Sequence, residues 1–505
     1  RWDRAMIEER PEGWTEETAT DTPISTVPVE PETLATPSEG LERRPQPAKR
    51  VIILGAGIAG LVAGYELARQ GHEPLILEAQ NRVGGRIYTL RDFAPGLYAE
   101  AGAMRIPRAH NLTLEYCEQF GLELRPFVMD NPKGLVFVGG QRMTMEEANL
   151  EPERLPFEVE EHERGRTANE MWEEAIADLR ELLEREGDAA WEAIIAEYDQ
   201  YSLYEFLKLK RFSEAAIEMY GVMNFLEADM HNAVVEVLRE DLGKAYVDMQ
   251  EIVGGMDRLP NAFFEHLRNK VRFGAEVTAI DQDEDSVTIH YKTAAGKFSV
   301  MGDYAICTLP FSVLRHVEIM KPFSHDKQRA IRQLNYAAST KVLFQVRRRF
   351  WEEEGIYGGA TVTDLPIRRM NYPTSDPNND RGILLASYTW SQDAARWGAM
   401  DDDARVEQAL EDVEKIHPGA AQEFECGASH AWYEDPWAAG AFALFEAEQQ
   451  TQLQDAITSR EGRVFFAGEH CSLYHAWIQG SLESGIKAAR RIHEGPRVMD
   501  PEVEV

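Results

Sequence analysis

Cysteine is scarce in this 505-residue chain: Cys117, Cys307, Cys426 and Cys471 are the only four, and they lie far apart. No CxxC pair and no Cys/His cluster stands at metal-ligand spacing, so neither a structural zinc nor any other metal site is expected, and the count is too low for a disulfide scaffold. Four buried free thiols are the expectation. Long apolar runs are also missing; none approaches the roughly 20 residues that cross a bilayer. Positive charge is in deficit, with 53 Lys and Arg against 87 Asp and Glu and a formal net charge of -34. Such a field repels phosphate backbones and anionic membrane surfaces, so neither nucleic acid nor membrane is an expected partner. No internal repeat or low-complexity tract appears. The sequence opens at Arg1 without a basic-then-apolar leader, as expected of a chain that lost a leader or was trimmed, and the compartment stays open.

What is present is ordinary globular composition: 44% hydrophobic, 10% aromatic and 28% charged residues. At roughly 150 residues per domain the length corresponds to about three domains. Residues 1–47, rich in Pro, Thr and Glu, read as an extended arm with no core of its own, able to pack along a partner surface. At Val51 the pattern changes to a short apolar strand, a glycine turn, a helix and a second apolar strand ending at Glu78, which is a β-α-β unit. From about Glu146 to Tyr246 charged residues recur between Leu, Ile, Ala and Met at helical intervals, as in Asn169 to Leu183, predicting an inserted helical domain. Beyond Gly254 the pattern predicts a helix, then alternating strands at Val277 to Tyr291 and Tyr304 to Thr308. A mixed strand-and-loop region follows to about Phe445, and a strand-turn-helix lies at Val464 to Glu494.

The glycine turn carries chemistry. Gly55, Gly57 and Gly60 follow Val51-Ile-Ile-Leu54 and, with Ile58 and Ala59, open a helix of small and apolar residues. The first glycine permits the tight turn. The second lets backbone approach a pyrophosphate at the helix N-terminus, and the third lets helix and strand pack closely. Glu78, 23 residues beyond Gly55, ends the second strand, where a carboxylate accepts hydrogen bonds from ribose hydroxyls and disfavours a 2'-phosphate. This much predicts a dinucleotide site and leaves NAD and FAD open. The sequel Asn81-Arg82-Val-Gly84-Gly85-Arg86 sets two low-backbone glycines beside an arginine placed to meet a diphosphate.

The stretch Gly55 to Arg86 resembles the flavin-containing amine oxidases, a family that includes L-amino-acid, polyamine and monoamine oxidases. The resemblance runs over nearly the whole chain after residue 47, through Glu276-Val277-Thr278, Phe465-Phe-Ala-Gly468-Glu469-His470 and Ala476-Trp477-Ile-Gln-Gly480-Ser481. It implies an α/β (α+β) fold: a Rossmann-like (GR2-type) FAD-binding domain, a mixed-sheet substrate domain and an inserted helical domain. The implied boundaries are 48–87, 253–334 and 458–495 for the discontinuous FAD-binding domain, 88–145 and 335–457 for the substrate-binding domain, and 146–248 for the helical one. Cofactor contacts are then expected from Gly55, Gly57, Ile58, Ala59, Gly60, Glu78, Ala79, Arg82, Gly84, Gly85 and Arg86 in the first segment. Gly102, Ala103, Met104 and Arg105 add a loop, Val277 lends backbone to the adenine, Glu469 holds the ribityl or ribose region, and Trp477, Ile478 and Ser481 begin the helix that points at the flavin.

Gly102-Ala-Met104-Arg105-Ile-Pro107 is similar to the Gly-x-Met-Arg-x-Pro loop of L-amino-acid oxidases. There the arginine grips the substrate carboxylate through a bidentate fork that fixes the α-carbon over the flavin. Simple amines need no such charge. The same resemblance gives Tyr388 as a second carboxylate contact or a core tyrosine, and Lys341 as the catalytic lysine that holds a water near flavin N5 and favours the oxygen reaction. Trp432, Ala476 and Trp477 would wall the substrate amine, and Phe442 the side-chain pocket. Where monoamine oxidases carry a flavin-linking cysteine this chain has Ala439-Gly440-Ala441-Phe442, implying non-covalent FAD. Some L-amino-acid oxidases carry a histidine base in the segment matching Leu238 to Asp241. Here Arg239 stands there, either near the pocket mouth, favouring acidic or polar side chains, or solvated at the surface. The expected function is FAD-dependent L-amino-acid oxidation with O2 as acceptor, releasing a 2-oxo acid, ammonia and hydrogen peroxide, in a homodimer. A monoamine or polyamine oxidase, an amino-acid 2-monooxygenase and a non-catalytic flavin-binding protein remain as alternatives.

Overall fold

The computed structural model describes residues 29–495 except 44, 45, 244, 375 and 377. Its first sheet is parallel and five-stranded, in the order Val464–Phe466, Tyr304–Cys307, Arg50–Leu54, Glu73–Leu77 and Val271–Arg272. The apolar run Val51-Ile-Ile-Leu is buried on both faces, as the middle strand of a helix-covered parallel sheet must be. Helix Ile58–Arg69 lies on this sheet because its glycines let it approach: a Cβ on Gly60 would stand 2.1 Å from the Gly55 carbonyl oxygen, and one on Gly64 3.0 Å from Ile76. Helix Ile478–Glu494 packs on it in turn, with Gly485 against the Ala59 carbonyl.

The predicted alternation after Val277 resolves into a hairpin of Glu276–Gln282 and Val287–Thr293, turned by Asp283, whose carboxylate accepts from the backbone N–H groups of Asp285 and Ser286. A seven-stranded mixed sheet draws Leu135–Val138 and Gln141–Thr144 together with Ala360–Thr363, Arg369–Asn371, Gly382–Trp390, Ser339–Val346 and Phe424–Ala431. Its strand Ser339–Val346 is buried at every position. Between the chain's two contributions to this sheet stand the helices running from Met145–Leu150 to Val234–Leu242. Three begin with reciprocal capping boxes, Thr144 with Glu147, Thr167 with Glu170 and Ser202 with Glu205, which satisfy first-turn N–H groups locally.

Two expectations change. Of the arm, residues 1–28 lie outside the described residues, but 31–39 form a helix docked on this same chain rather than an extended segment. Thr33 and Thr36 are buried there, Leu34 packs against the core, and Glu30 pairs with Arg490 at 3.0 Å. Of the cysteines, Cys117, Cys307 and Cys471 are buried, whereas Cys426 is exposed on the edge strand Phe424–Ala431. No described helix is long and apolar enough to cross a membrane, and no described group of His, Cys, Asp or Glu could hold a metal ion.

Candidate active site

One long cavity runs from the carboxyl ends of the parallel strands to the mixed sheet. At its nucleotide end, Gly55 takes φ +102, which an L side chain rarely adopts, and Gly57 presents open space where a Cβ would stand. The helix beginning at Ile58 and the one beginning at Ile478 both lack a side-chain cap. Two sets of unsatisfied N–H groups therefore open on the same cavity, which is what an anionic or electron-rich ligand requires. Glu78 is locked by backbone N–H groups, Ala56 donating to Oε2 and Gln80 to Oε1, each at 2.8 Å, and burial raises its pKa. At Val277 the partner strand Glu318–Ile319 does not reach, since it pairs only with Ala279 and Ile280, so the far edge of the backbone faces the cavity. Gly84 and Gly85 both have positive φ and lie beside Gly57.

Glu469 joins the nucleotide end to the middle. Its carboxylate accepts from Arg86 at 2.7 Å and from the backbone N–H groups of Ala443 and Ala476 at 3.1 Å. Burial works to raise its pKa, but Arg86 and the neighbouring histidines outweigh burial and hold it low. These residues fit FAD: a cradle at Gly57, two uncapped helix starts, and two buried carboxylates, Glu78 and Glu469, held by N–H groups. No described cysteine lines the cavity.

At the other end, Lys341 and Tyr388 face one another across paired strands, the ammonium 4.8 Å from the ring centroid. Lys341 is 2% exposed and donates to the carbonyls of Gly102 at 2.7 Å and Glu100 at 3.2 Å, with the Met104 sulfur at 3.5 Å. Burial pushes its pKa down to about 7. Arg105, at the end of that loop, faces the rings of Tyr246 at 5.4 Å and Phe127 at 6.0 Å, and Nη1 meets the Met129 sulfur at 3.0 Å. No described carboxylate pairs with it. Trp432 is held by a hydrogen bond to the Ala101 carbonyl at 2.8 Å, and Trp477 by one to Glu240 at 3.0 Å; both line the cavity with Phe442 and Ala476. Ala476 takes φ +66, a left-handed conformation that turns its N–H toward Glu469.

The cavity thus gathers all the expected site residues except Gly60 and Arg82. Gly60 acts one layer back, in helix-to-strand packing. Arg82 donates to the Gly85 carbonyl at 2.9 Å and covers the Tyr88 ring at 4.0 Å, so it shapes the loop from outside. Arg86 reaches the wall but is already engaged by Glu469 and the Ala441 carbonyl. Arg239 is neither solvated nor a free cation at the mouth. It is buried, pairing with Glu236 at 3.2 Å and donating to Gln450 at 2.5 Å, while Glu236 also holds His475 at 2.7 Å.

Other residues had no motif to announce them. Glu240, Tyr246, His110, Trp390 and Asp229 all line the cavity. His110 stands against the Trp477 and Tyr474 rings, and burial drops its pKa to about 3, so it is neutral. Glu240 takes hydrogen bonds from Tyr246 and Trp477 on its two oxygens, and burial raises its pKa. One signal was available: Glu236, Arg239 and Glu240 are charges at i, i+3 and i+4, one face of a helix, and three charges meant for water seldom sit among Val234, Val235 and Leu238.

Residues 58–493 match the family described as flavin containing amine oxidoreductase. The chain is similar to YobN of Bacillus subtilis, 38% identical over 89% of this chain and 96% of that one. It is 35% identical to an L-amino-acid oxidase of Siganus canaliculatus over 88% of this chain and 86% of that one. With an L-amino acid oxidase of Cerastes cerastes it shares 33% over 90% and 88%. Among solved structures, cyclohexylamine oxidase of Brevibacterium oxydans superposes with TM-score 0.72 at 21% identity, covering 89% of this chain and 99% of that one. Putrescine oxidase bound to putrescine superposes with TM-score 0.74 at 18% identity, covering 89% and 100%.

Proposed function

The chain belongs to the flavin-containing amine oxidoreductase family, and from that premise we propose that it is an FAD-dependent L-amino-acid oxidase. The reaction joins an L-amino acid, O2 and water and yields a 2-oxo acid, ammonia and hydrogen peroxide. FAD, bound non-covalently, supplies the two-electron acceptor. The observation that carries the reading is Arg105: a guanidinium on the cavity wall, held by aromatic faces and a sulfur, with no carboxylate of its own. A partly buried cation without an anion among the described residues is incompletely compensated, and an incoming α-carboxylate relieves that cost while its two oxygens fix the ligand's orientation.

Each residue has a definite task in this reading. Gly57, Glu78, Val277, Glu469 and the helix starts at Ile58 and Ile478 hold the cofactor. Arg105 and the Tyr388 hydroxyl anchor the substrate carboxylate. Trp432, Trp477 and Phe442 exclude water, which keeps the α-amine neutral and sharpens every charge interaction in the site. Lys341, when protonated, stabilises the negative charge that develops as oxygen is reduced. Homodimerisation, which the family resemblance implies, belongs to the same proposal and is read by sedimentation.

The folds of cyclohexylamine and putrescine oxidases are shared, so fold does not choose between amine and amino acid; Arg105 favours the amino acid. The experiment is an anaerobic absorbance titration with L-amino acids and a simple amine, followed by readmitted air and peroxide detection. Bleaching by L-amino acids, then recovery with peroxide, supports the oxidase. Bleaching by the amine alone overturns it, an amide product instead of a 2-oxo acid identifies a monooxygenase, and yellow protein that nothing bleaches identifies a binding protein.

A further inference from the structure

Among the charges on the wall at the substrate end of the cavity are two of opposite sign, Arg105 and Glu240. Arg105 lies over the Tyr246 ring, 5.4 Å from its centroid, and the hydroxyl of that same tyrosine donates to Glu240 Oε2 at 2.5 Å. Trp477 donates to the other oxygen, Oε1, at 3.0 Å. One tyrosine side chain therefore separates the cation from the anion, and both line the cavity. A carboxylate accepts about four hydrogen bonds, so two remain to be filled at Glu240, and no described Lys or Arg pairs with it.

Most other charges nearby have partners. Arg239 on the same helix is taken by Glu236 and Gln450, Glu236 by His475 and the Phe445 N–H, and Lys341 by two backbone carbonyls. Asp229, further along the wall, takes hydrogen bonds from Ser391 and Asn232 on Oδ1, while its Oδ2 is buried without a partner among the described residues. Arg369, whose charge acts on Arg105 and Tyr246, donates to Asn371 Oδ1 at 3.4 Å and pairs with no described carboxylate.

Resting on the oxidase reading, we propose that Glu240 is the specificity-determining residue of the side-chain pocket and that the preferred substrates are L-amino acids whose side chains end in N–H donors. The α-carboxylate docks on Arg105, and an ammonium, guanidinium or amide at the far end of the side chain fills the open acceptor positions of Glu240 between the Tyr246 and Trp477 rings. A negatively charged side chain meets a like charge instead, so L-glutamate and L-aspartate are rejected. This reverses the preference for acidic side chains that Arg239 suggests in the sequence.

The test uses the holoenzyme and two readouts. In wild type, kcat/KM for L-lysine, L-ornithine and L-arginine exceeds that for L-glutamate. Glu240→Gln lowers the values for the cationic substrates by about thirtyfold, the worth of a hydrogen bond to a charged group, and leaves L-leucine within about threefold. Binding of 2-methyl-L-ornithine and 2-methyl-L-leucine, which lack the α-hydrogen and are not oxidised, is followed by calorimetry, and Glu240→Gln weakens only the first. The wild-type ranking stands even if the variant does not fold. Wild type that prefers L-glutamate to the cationic amino acids, or a variant that slows L-leucine and L-lysine alike, overturns the proposal while leaving the oxidase intact. Flavin that no amino acid bleaches removes the oxidase reading, and this proposal with it.

Discussion

The ammonium nitrogen of Lys341 lies 2.7 Å from the carbonyl oxygen of Gly102, three residues before Arg105. The buried strand Ser339–Val346 is thereby tied to the loop that carries Arg105. Where the loop sits over the sheet depends on this contact and on the neighbouring bond to the Glu100 carbonyl.

The tie makes the site sensitive to pH near neutrality. Burial lowers the Lys341 pKa to about 7 and raises that of Glu100 to about 7, so the two titrate as a pair. As pH rises through that value the lysine loses its charge, and kcat/KM for oxygen falls about tenfold or more. Oxygen-dependence kinetics across this range check it; a wild-type profile as flat as that of Lys341→Met would sink the assignment. The stability sign is opposite. The folded pKa lies below the 10.5 of an unperturbed lysine, so the unfolded chain binds the extra proton between about 7 and 10.5 and this group adds stability as pH rises through that window.

Arg105→Met keeps length and apolar packing against Phe127 and Tyr246 but removes the fork. Loss of a desolvated charge contact is worth about 2 to 5 kcal/mol, so kcat/KM for L-amino acids drops by about thirtyfold to several thousandfold. Flavin content, read from the visible absorbance ratio, stays at the wild-type value. A variant that keeps its rate on amino acids would mark Arg105 as structural.

Glu469→Gln tests the cofactor end. The substitution leaves Arg86 without its anion and weakens the N–H contacts from Ala443 and Ala476. Flavin affinity falls by about ten- to hundredfold, the range for hydrogen bonds to charged groups. Repeated ultrafiltration at low protein concentration, with flavin measured in the filtrate, separates this outcome from full retention.

Two glycine variants part local from ligand effects. An alanine at Gly60 drives its Cβ to 2.1 Å from the Gly55 carbonyl, so Gly60→Ala lowers the melting temperature of apoprotein and holoprotein alike. At Gly57 the φ is ordinary and the space open, so Gly57→Ala melts like wild type without flavin yet binds flavin poorly, because its methyl group occupies the cradle. Apoprotein melting curves beside flavin titrations distinguish the two.

The β-α-β unit and its cofactor chemistry were legible in the chain because the requirements are local. Gly55 needs a left-handed φ, Gly60 a missing Cβ, and Glu78 a place at a strand end; each is a property of a residue and its near neighbours. Arg105 and Lys341 were legible only through short motifs, and their partnership through Gly102 was not, since 239 residues separate Lys341 from Gly102. The helix at 31–39 was missed for a related reason: a Pro- and Thr-rich stretch has no apolar face to read, and it is helical because Thr33, Thr36 and Leu34 find cover on the body of the chain.

The sequence by itself determined the family, with a glycine turn and acidic strand end of dinucleotide-site type, a loop cation suited to a carboxylate, and no cysteine in the segment where monoamine oxidases bond the flavin. Only the tertiary structure decided which of two neighbouring charges on the cavity wall is left without an ionic partner. Arg239 and Glu240 are adjacent in the chain, and helical periodicity sets them about 100° apart without saying what lies opposite either one. Glu236 and Gln450, the latter 211 residues away, neutralise and hold Arg239, while Tyr246 and Trp477 turn Glu240 toward the cavity beside Arg105. The sign of a pocket is the sum of charges left uncompensated, and compensation comes from residues that only folding brings together.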